Sequence, residues 1–112
     1  MPTADDNAIV IRGGRISQDN FINGGTLDIN NRLNDVSVQC SGTTAVKNVN
    51  IATIALWRGP IPAGPVGATT VKKIRQKGGN VILSPGVGGG GPNHCTLFGI
   101  TPKDAAEIFT QY

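Results

Sequence analysis

The chain has 112 residues with a net charge of +3, 38% apolar and 15% charged residues, 16 glycines and seven prolines. That length suits one domain, with roughly 60% or more of the unfolded surface buried on folding. The apolar share is too high and the charge too low for a disordered chain, no Gly-X-Y repeat signals collagen, and no heptad pattern signals a coiled coil.

Residues 1–7 carry no apolar anchor and are expected to fray. Ala8-Ile9-Val10-Ile11-Arg12 reads as a buried strand ended by Gly13-Gly14. Ser17 is placed to cap a short helix over residues 18–22, stopped by Asn23-Gly24-Gly25. Residues 26–34 are polar and turn-rich. In Asp35-Val36-Ser37-Val38-Gln39-Cys40 apolar and polar residues alternate, as in a half-buried strand.

Residues 46–57 are ambiguous: Ile51, Ile54, Ala55 and Trp57 fit a helix face, but the β-branched content favours a strand. The longest near-apolar run, residues 51–57, is far too short for a membrane span. Residues 59–66 form a long loop, because Pro60, Pro62 and Pro65 each remove a donor and restrain the preceding residue. Thr69-Thr70 then caps a helix with Val71 and Ile74 on its apolar side and Lys72, Lys73, Arg75, Gln76 and Lys77 on its polar side, stopped by Gly78-Gly79. Val81-Ile82-Leu83 is a strand and residues 84–93 a second long, glycine-rich loop. His94-Cys95-Thr96-Leu97-Phe98 is the next strand, with His94, Thr96 and Phe98 on one face. Thr101 caps a last helix, with Pro102 at its first position, Asp104 two residues on, and Ile100 and Ala105 as flanking apolar contacts. The expected fold is α+β: a single domain over residues 1–112, with a small, mainly antiparallel twisted sheet and short helices packed on one face.

Charge is unevenly placed. Residues 1–46 hold three arginines against five aspartates, while residues 47–112 hold seven Lys and Arg against Asp104 and Glu107. No carboxylate lies between Asp35 and Asp104. The long basic stretch favours RNA or another anionic partner. Cys40 and Cys95 form no CxxC pair. One disulfide between them is geometrically possible, but with no secretory signal at the start two buried thiols are expected, with a cytoplasmic location, delivery into another cell left open, and no membrane segment. One histidine and two thiols make no zinc pattern.

Four features bear on chemistry. Arg12 leaves a buried strand just before two glycines, where its planar fork could meet phosphate. His94 is the sole histidine, so any imidazole acid or base must be this residue. The glycine loop Gly86–Gly91 is neither a P-loop nor a dinucleotide fingerprint and reads as a linker or lid. Lys72, Lys73, Arg75 and Lys77 could track an RNA backbone or simply be a solvated helix face. No carboxylate cluster suits metal-assisted hydrolysis, and no GxSxG elbow suits a serine triad.

Taken together, Ile11-Arg12-Gly13-Gly14, Val36-Ser37-Val38, Val66-Gly67-Ala68-Thr69-Thr70-Val71, Ile74-Arg75, Gly78-Gly79, Pro92-Asn93-His94-Cys95-Thr96-Leu97 and Gly99-Ile100-Thr101-Pro102 resemble small C-terminal toxin domains of bacterial polymorphic toxin systems. The resemblance implies a metal-independent ribonuclease with no cofactor. His94 would be the general acid/base, Arg12 the phosphate clamp and Thr96 the phosphate-orienting hydroxyl. Lys72, Lys73 or Arg75 would stand in for a second histidine, and a cognate inhibitor protein would be a partner. Two alternatives remain open. The Arg-Gly strand followed by Val-Ser-Val also resembles the opening of ADP-ribosyltransferases, which would require Glu107 as the catalytic glutamate. The third is a non-enzymatic basic module that binds protein or RNA through the Lys72–Lys77 face.

Overall fold

A computed structural model of the chain describes residues 2–112. The fold is α+β, with a mainly antiparallel six-stranded sheet, a small two-stranded sheet and four α-helices among the described residues. In chain order the elements are β1 (Ile9–Gly13), α1 (Gln18–Asn23), β2 (Thr26–Leu27), β3 (Leu33–Asn34), β4 (Val36–Cys40), α2 (Ile51–Trp57), β5 (Val66–Thr70), α3 (Val71–Gln76), β6 (Asn80–Leu83), β7 (His94–Phe98), α4 (Pro102–Ile108) and β8 (Thr110–Gln111). The main sheet runs β6-β7-β4-β1-β5-β8, and every neighbouring pair is antiparallel.

The three helix caps read from the sequence are present. Ser17, Thr70 and Thr101 accept from the backbone amides of Asn20, Lys73 and Asp104, which satisfies donors that a helix start leaves free. Strand alternation sorts the sheet's two faces. Val10, Val36, Val38, Val81 and Leu97 point to the side covered by α1, α3 and α4, where Phe21, Val71, Ile74, Ala105 and Phe109 complete the main core. The Phe21 and Phe109 rings meet there at 5.0 Å between centroids. On the other face the glycine-rich loop around Gly90 lies over Gln39 and His94, and α2 covers the β1–β5 end. There Ile9, Ile11, Val66 and Ala68 pack with Ile54 of α2. The remainder of that face, over β4, β7 and β6, is left to the site.

Four expectations are corrected. Residues 51–57 are helical, not a strand: Asn50 caps Thr53 and Ile54 is buried, so tertiary packing overrides the β-branched preference. Residues 2–7 do not fray. Ala4 is buried, its amide donates to Val81 O, Leu83 N donates to Pro2 O, and Asp6 pairs with Arg75. The turn-rich stretch 26–34 contains a hairpin of two short strands, β2 and β3. Finally, Cys40 and Cys95 are not two thiols but a disulfide, with Cα atoms 5.9 Å apart and the two residues 55 positions apart in sequence. The bond ties β4 to β7 beneath the open face.

Candidate active site around His94

The register β1-β4-β7-β6 carries Ile11, Gln39, His94 and Ser84 into one row across the open face, and Gly13, Ser37, Thr96 and Ile82 into the next. Ser84 lies one residue beyond β6, and its amide donates to His94 O. His94 is therefore not a loop histidine. It opens β7 on a rigid sheet and is only 5% exposed.

The imidazole is held through one nitrogen. Nδ1 lies 2.7 Å from Ser84 Oγ and 3.1 Å from Ser84 O. A carbonyl can only accept, so these acceptors assign the neutral ring's proton to Nδ1 and leave the lone pair on Nε2. Ser84 Oγ also lies 2.9 Å from Thr96 Oγ1, so the Ser84 hydroxyl, accepting from Nδ1, can donate to the threonine oxygen. The chain Thr96–Ser84–His94 thus fixes tautomer and ring direction together. The far edge of the ring is fixed by backbone. Gly90 lies so close that a methyl group there would collide with His94 Cδ2. Gln39 Nε2 donates to Gly90 O at 2.8 Å and holds that loop in place.

His94 stands between two clefts. The first, about 300 Å³, is lined by Arg12, Ser37, Gln39, Ile61, Gly90 and His94. The second, about 220 Å³, is lined by Ser41, Thr43, Thr44, Trp57, Asn93 and His94. Among the described residues neither lining contains a carboxylate. No three His, Cys, Asp or Glu side chains gather anywhere among them in a group that could hold a metal ion.

The sequence-derived residues divide. His94 and Thr96 share the row structure described above. Arg12 reaches the first cleft, but its side chain leaves β1 towards α1. Nε donates to Asn20 Oδ1 at 2.7 Å, Nη1 to Ser37 O at 2.9 Å and Nη2 to Asn20 O at 3.1 Å. Its burial pulls the guanidinium pKa below its ordinary value, since a charge loses solvation there. Arg12 is a structural cross-brace as well as the cation of the cleft. Lys72, Lys73 and Arg75 are on α3 and Lys77 is its C-cap, across the sheet from His94. Arg75 is occupied by the Asp6 carboxylate, Ala4 O and Asn80 Oδ1. The α3 cations are therefore not brought to His94, and none can act as its catalytic partner in this arrangement. Glu107 is exposed on α4, also beyond the opposite face.

Sequence reasoning missed Ser84, Gln39 and Trp57. Ser84 and Gln39 follow once β7 is known to pair with both β4 and β6, because each then stands beside His94. That pairing is not written in any one segment. Comparison with protein-family models, curated proteins and solved structures finds no match for this chain.

Proposed function

We propose that the protein is a toxin-type ribonuclease that cleaves RNA by attack of a ribose 2′-hydroxyl on the adjacent phosphorus. The observation that carries this reading is the His94 ring, held at Nδ1 by Ser84, in a residue that lines both clefts. In the reaction Nε2 takes the 2′-hydroxyl proton and the 2′-oxygen bonds to phosphorus. The bond from phosphorus to the 5′-oxygen breaks, and that oxygen takes a proton from water. The products are a 2′,3′-cyclic phosphate and a 5′-hydroxyl end. Arg12 supplies positive charge from the first cleft as the phosphorane forms, while Thr96 acts through Ser84 on the ring. The exposed Lys72, Lys73 and Lys77 serve at most as a remote contact to the RNA backbone.

The disulfide supports a protein that spends time in an oxidising compartment, as a delivered toxin does, rather than one that stays in a reducing cytoplasm. Such a toxin would need a cognate inhibitor protein in the cell that makes it. The test is incubation with total RNA in the presence of EDTA, comparing the native chain with His94→Ala. Cleavage that leaves cyclic phosphate ends and falls by about 10²- to 10⁴-fold in the variant supports the reading. Cleavage unchanged by His94→Ala, or no cleavage by the native chain, overturns it.

One observation favours a second reading, a basic binding module: the α3 lysines face solvent without a partner carboxylate among the described residues. In that case Lys72→Glu with Lys73→Glu abolishes RNA association and His94→Ala leaves it intact.

A further inference from the structure

The proposed cleavage occupies His94 and the first cleft, and leaves the second cleft without a role. A phosphodiester has a nucleotide on each side of the phosphorus, so a base at its centre needs room on both sides. His94 lines both clefts. The first has a glycine backbone, Ile61 and the Arg12 charge. The second is different in kind, for it contains Trp57, the only tryptophan in the chain.

Trp57 ends α2 and is half-buried. It packs against the cluster of Ile9, Ile11 and Ile54 and also borders the cleft. That position gives a rigid aromatic wall at little cost in side-chain freedom. Lining the same cleft are groups with unused hydrogen-bonding capacity. The side chains of Thr43, Thr44 and Asn93 make no hydrogen bond among the described residues, although the Thr44 carbonyl accepts from Ser41 Oγ at 2.6 Å. An aromatic wall with hydroxyl and amide groups in the same cleft is the chemistry that holds an unstacked nucleobase: the ring stacks, and its edge is met by polar side chains. The cleft volume of about 220 Å³ accommodates one base with part of its ribose and no more.

We infer that the second cleft is a nucleobase subsite in which one of the two nucleotides flanking the scissile phosphate stacks on Trp57. The inference rests on the ribonuclease reading for the word flanking, but base binding in this cleft is a separate property and can be measured separately. The minimal substrate is then a dinucleotide, and affinity for it is divided between the two clefts.

The sole tryptophan makes the test direct. The native protein, for which a 5′-mononucleotide offers no phosphodiester to cleave, is titrated with each of the four 5′-mononucleotides while tryptophan emission is followed. Saturable quenching, with amide shifts at Thr43, Thr44 and Asn93 in NMR spectra, is expected. In parallel, dinucleoside monophosphate cleavage is measured for the native chain, Trp57→Phe and Trp57→Ala. Trp57→Ala should raise KM about 5- to 100-fold with a smaller effect on kcat, in line with roughly 1–3 kcal/mol of stacking per base, and Trp57→Phe should recover most of it. Quenching without any cleavage by the native chain would overturn the nuclease reading and keep the subsite. Cleavage without quenching, amide shifts or a KM effect would overturn the subsite and keep the nuclease. Should Trp57→Ala fail to fold, the titration of the native protein decides alone.

Discussion

The hydroxyl of Ser84 lies 2.7 Å from Nδ1 of His94, across a strand pair joined by the Ser84 amide and the His94 carbonyl. The two are ten positions apart in sequence, and the whole glycine-rich loop lies between them. The pair makes the loop a closed hairpin end whose two feet are the site.

Ser84→Ala removes the hydroxyl but keeps the carbonyl that also meets Nδ1. The ring should retain its tautomer and lose part of its orientation. Stability is expected to fall by about 1 kcal/mol and RNA cleavage by about tenfold, the loss of one buried hydrogen bond appearing in each. Thr96→Val should show a smaller rate effect, because Thr96 reaches the ring only through Ser84. Urea melts and cleavage rates of the two variants check the order.

Gly90→Ala tests the other side of the ring. Gly90 has an ordinary negative φ of −74°, so alanine meets no backbone penalty there. Its methyl group would nevertheless run into the imidazole. Displacement of His94, loss of most activity and a lower melting temperature are expected, because the buried ring must leave its Ser84 partner. Gly88→Ala should lower the melting temperature through backbone strain alone and leave the imidazole in place, since Gly88 has φ of 58° and open space around it. Melting curves and imidazole NMR signals of the two proteins separate these cases.

Arg12→Lys is not a mild change here. The guanidinium spans Asn20 Oδ1, Asn20 O and Ser37 O, and a single ammonium cannot reach all three in that geometry. Asn20 in turn donates to the carbonyls of Gly13 and Arg15, so the brace holds the exit of β1 against α1. A stability loss of about 1–3 kcal/mol is expected for lysine and more for alanine, read by thermal or urea denaturation. Loss of cleavage without loss of stability would mean that the arginine acts on the phosphate alone.

Reduction of Cys40–Cys95, or the paired change to serine, should cost about 2–4 kcal/mol, because the bond closes a long stretch of chain. Both sulfur-bearing residues are almost fully buried, at 1% and 2% exposure, so reductant should act slowly on the folded protein. Melting with and without dithiothreitol, together with thiol titration over time, measures both quantities.

Much of this architecture is legible in the residues. β1, β4 and β7 announce themselves by alternation, and α1, α3 and α4 by their caps. These signals are local, and local physics suffices for them. α2 has a cap as well, in Asn50, but its isoleucines and threonine argue for a strand until Ile54 is seen to pack on β1 and β5. β2, β3 and β8 are two residues each and have no pattern long enough to read. At the site, His94 and Thr96 were legible because they belong to one strand. Ser84 and Trp57 were not, because they reach His94's surroundings only through strand order and chain crossing. The α3 cations show the opposite failure: a clear local pattern that the topology sends to the far side of the sheet.

β7 carries His94 and Cys95 side by side, one facing the clefts and one facing the core. A shift of this strand by one residue would exchange the two faces. The sulfur would then turn away from Cys40, and the imidazole would enter the hydrocarbon interior. In the folded chain the covalent link and the placement of the imidazole therefore share one register: the bond that joins β4 to β7 also disfavours the slipped pairing that would bury the ring.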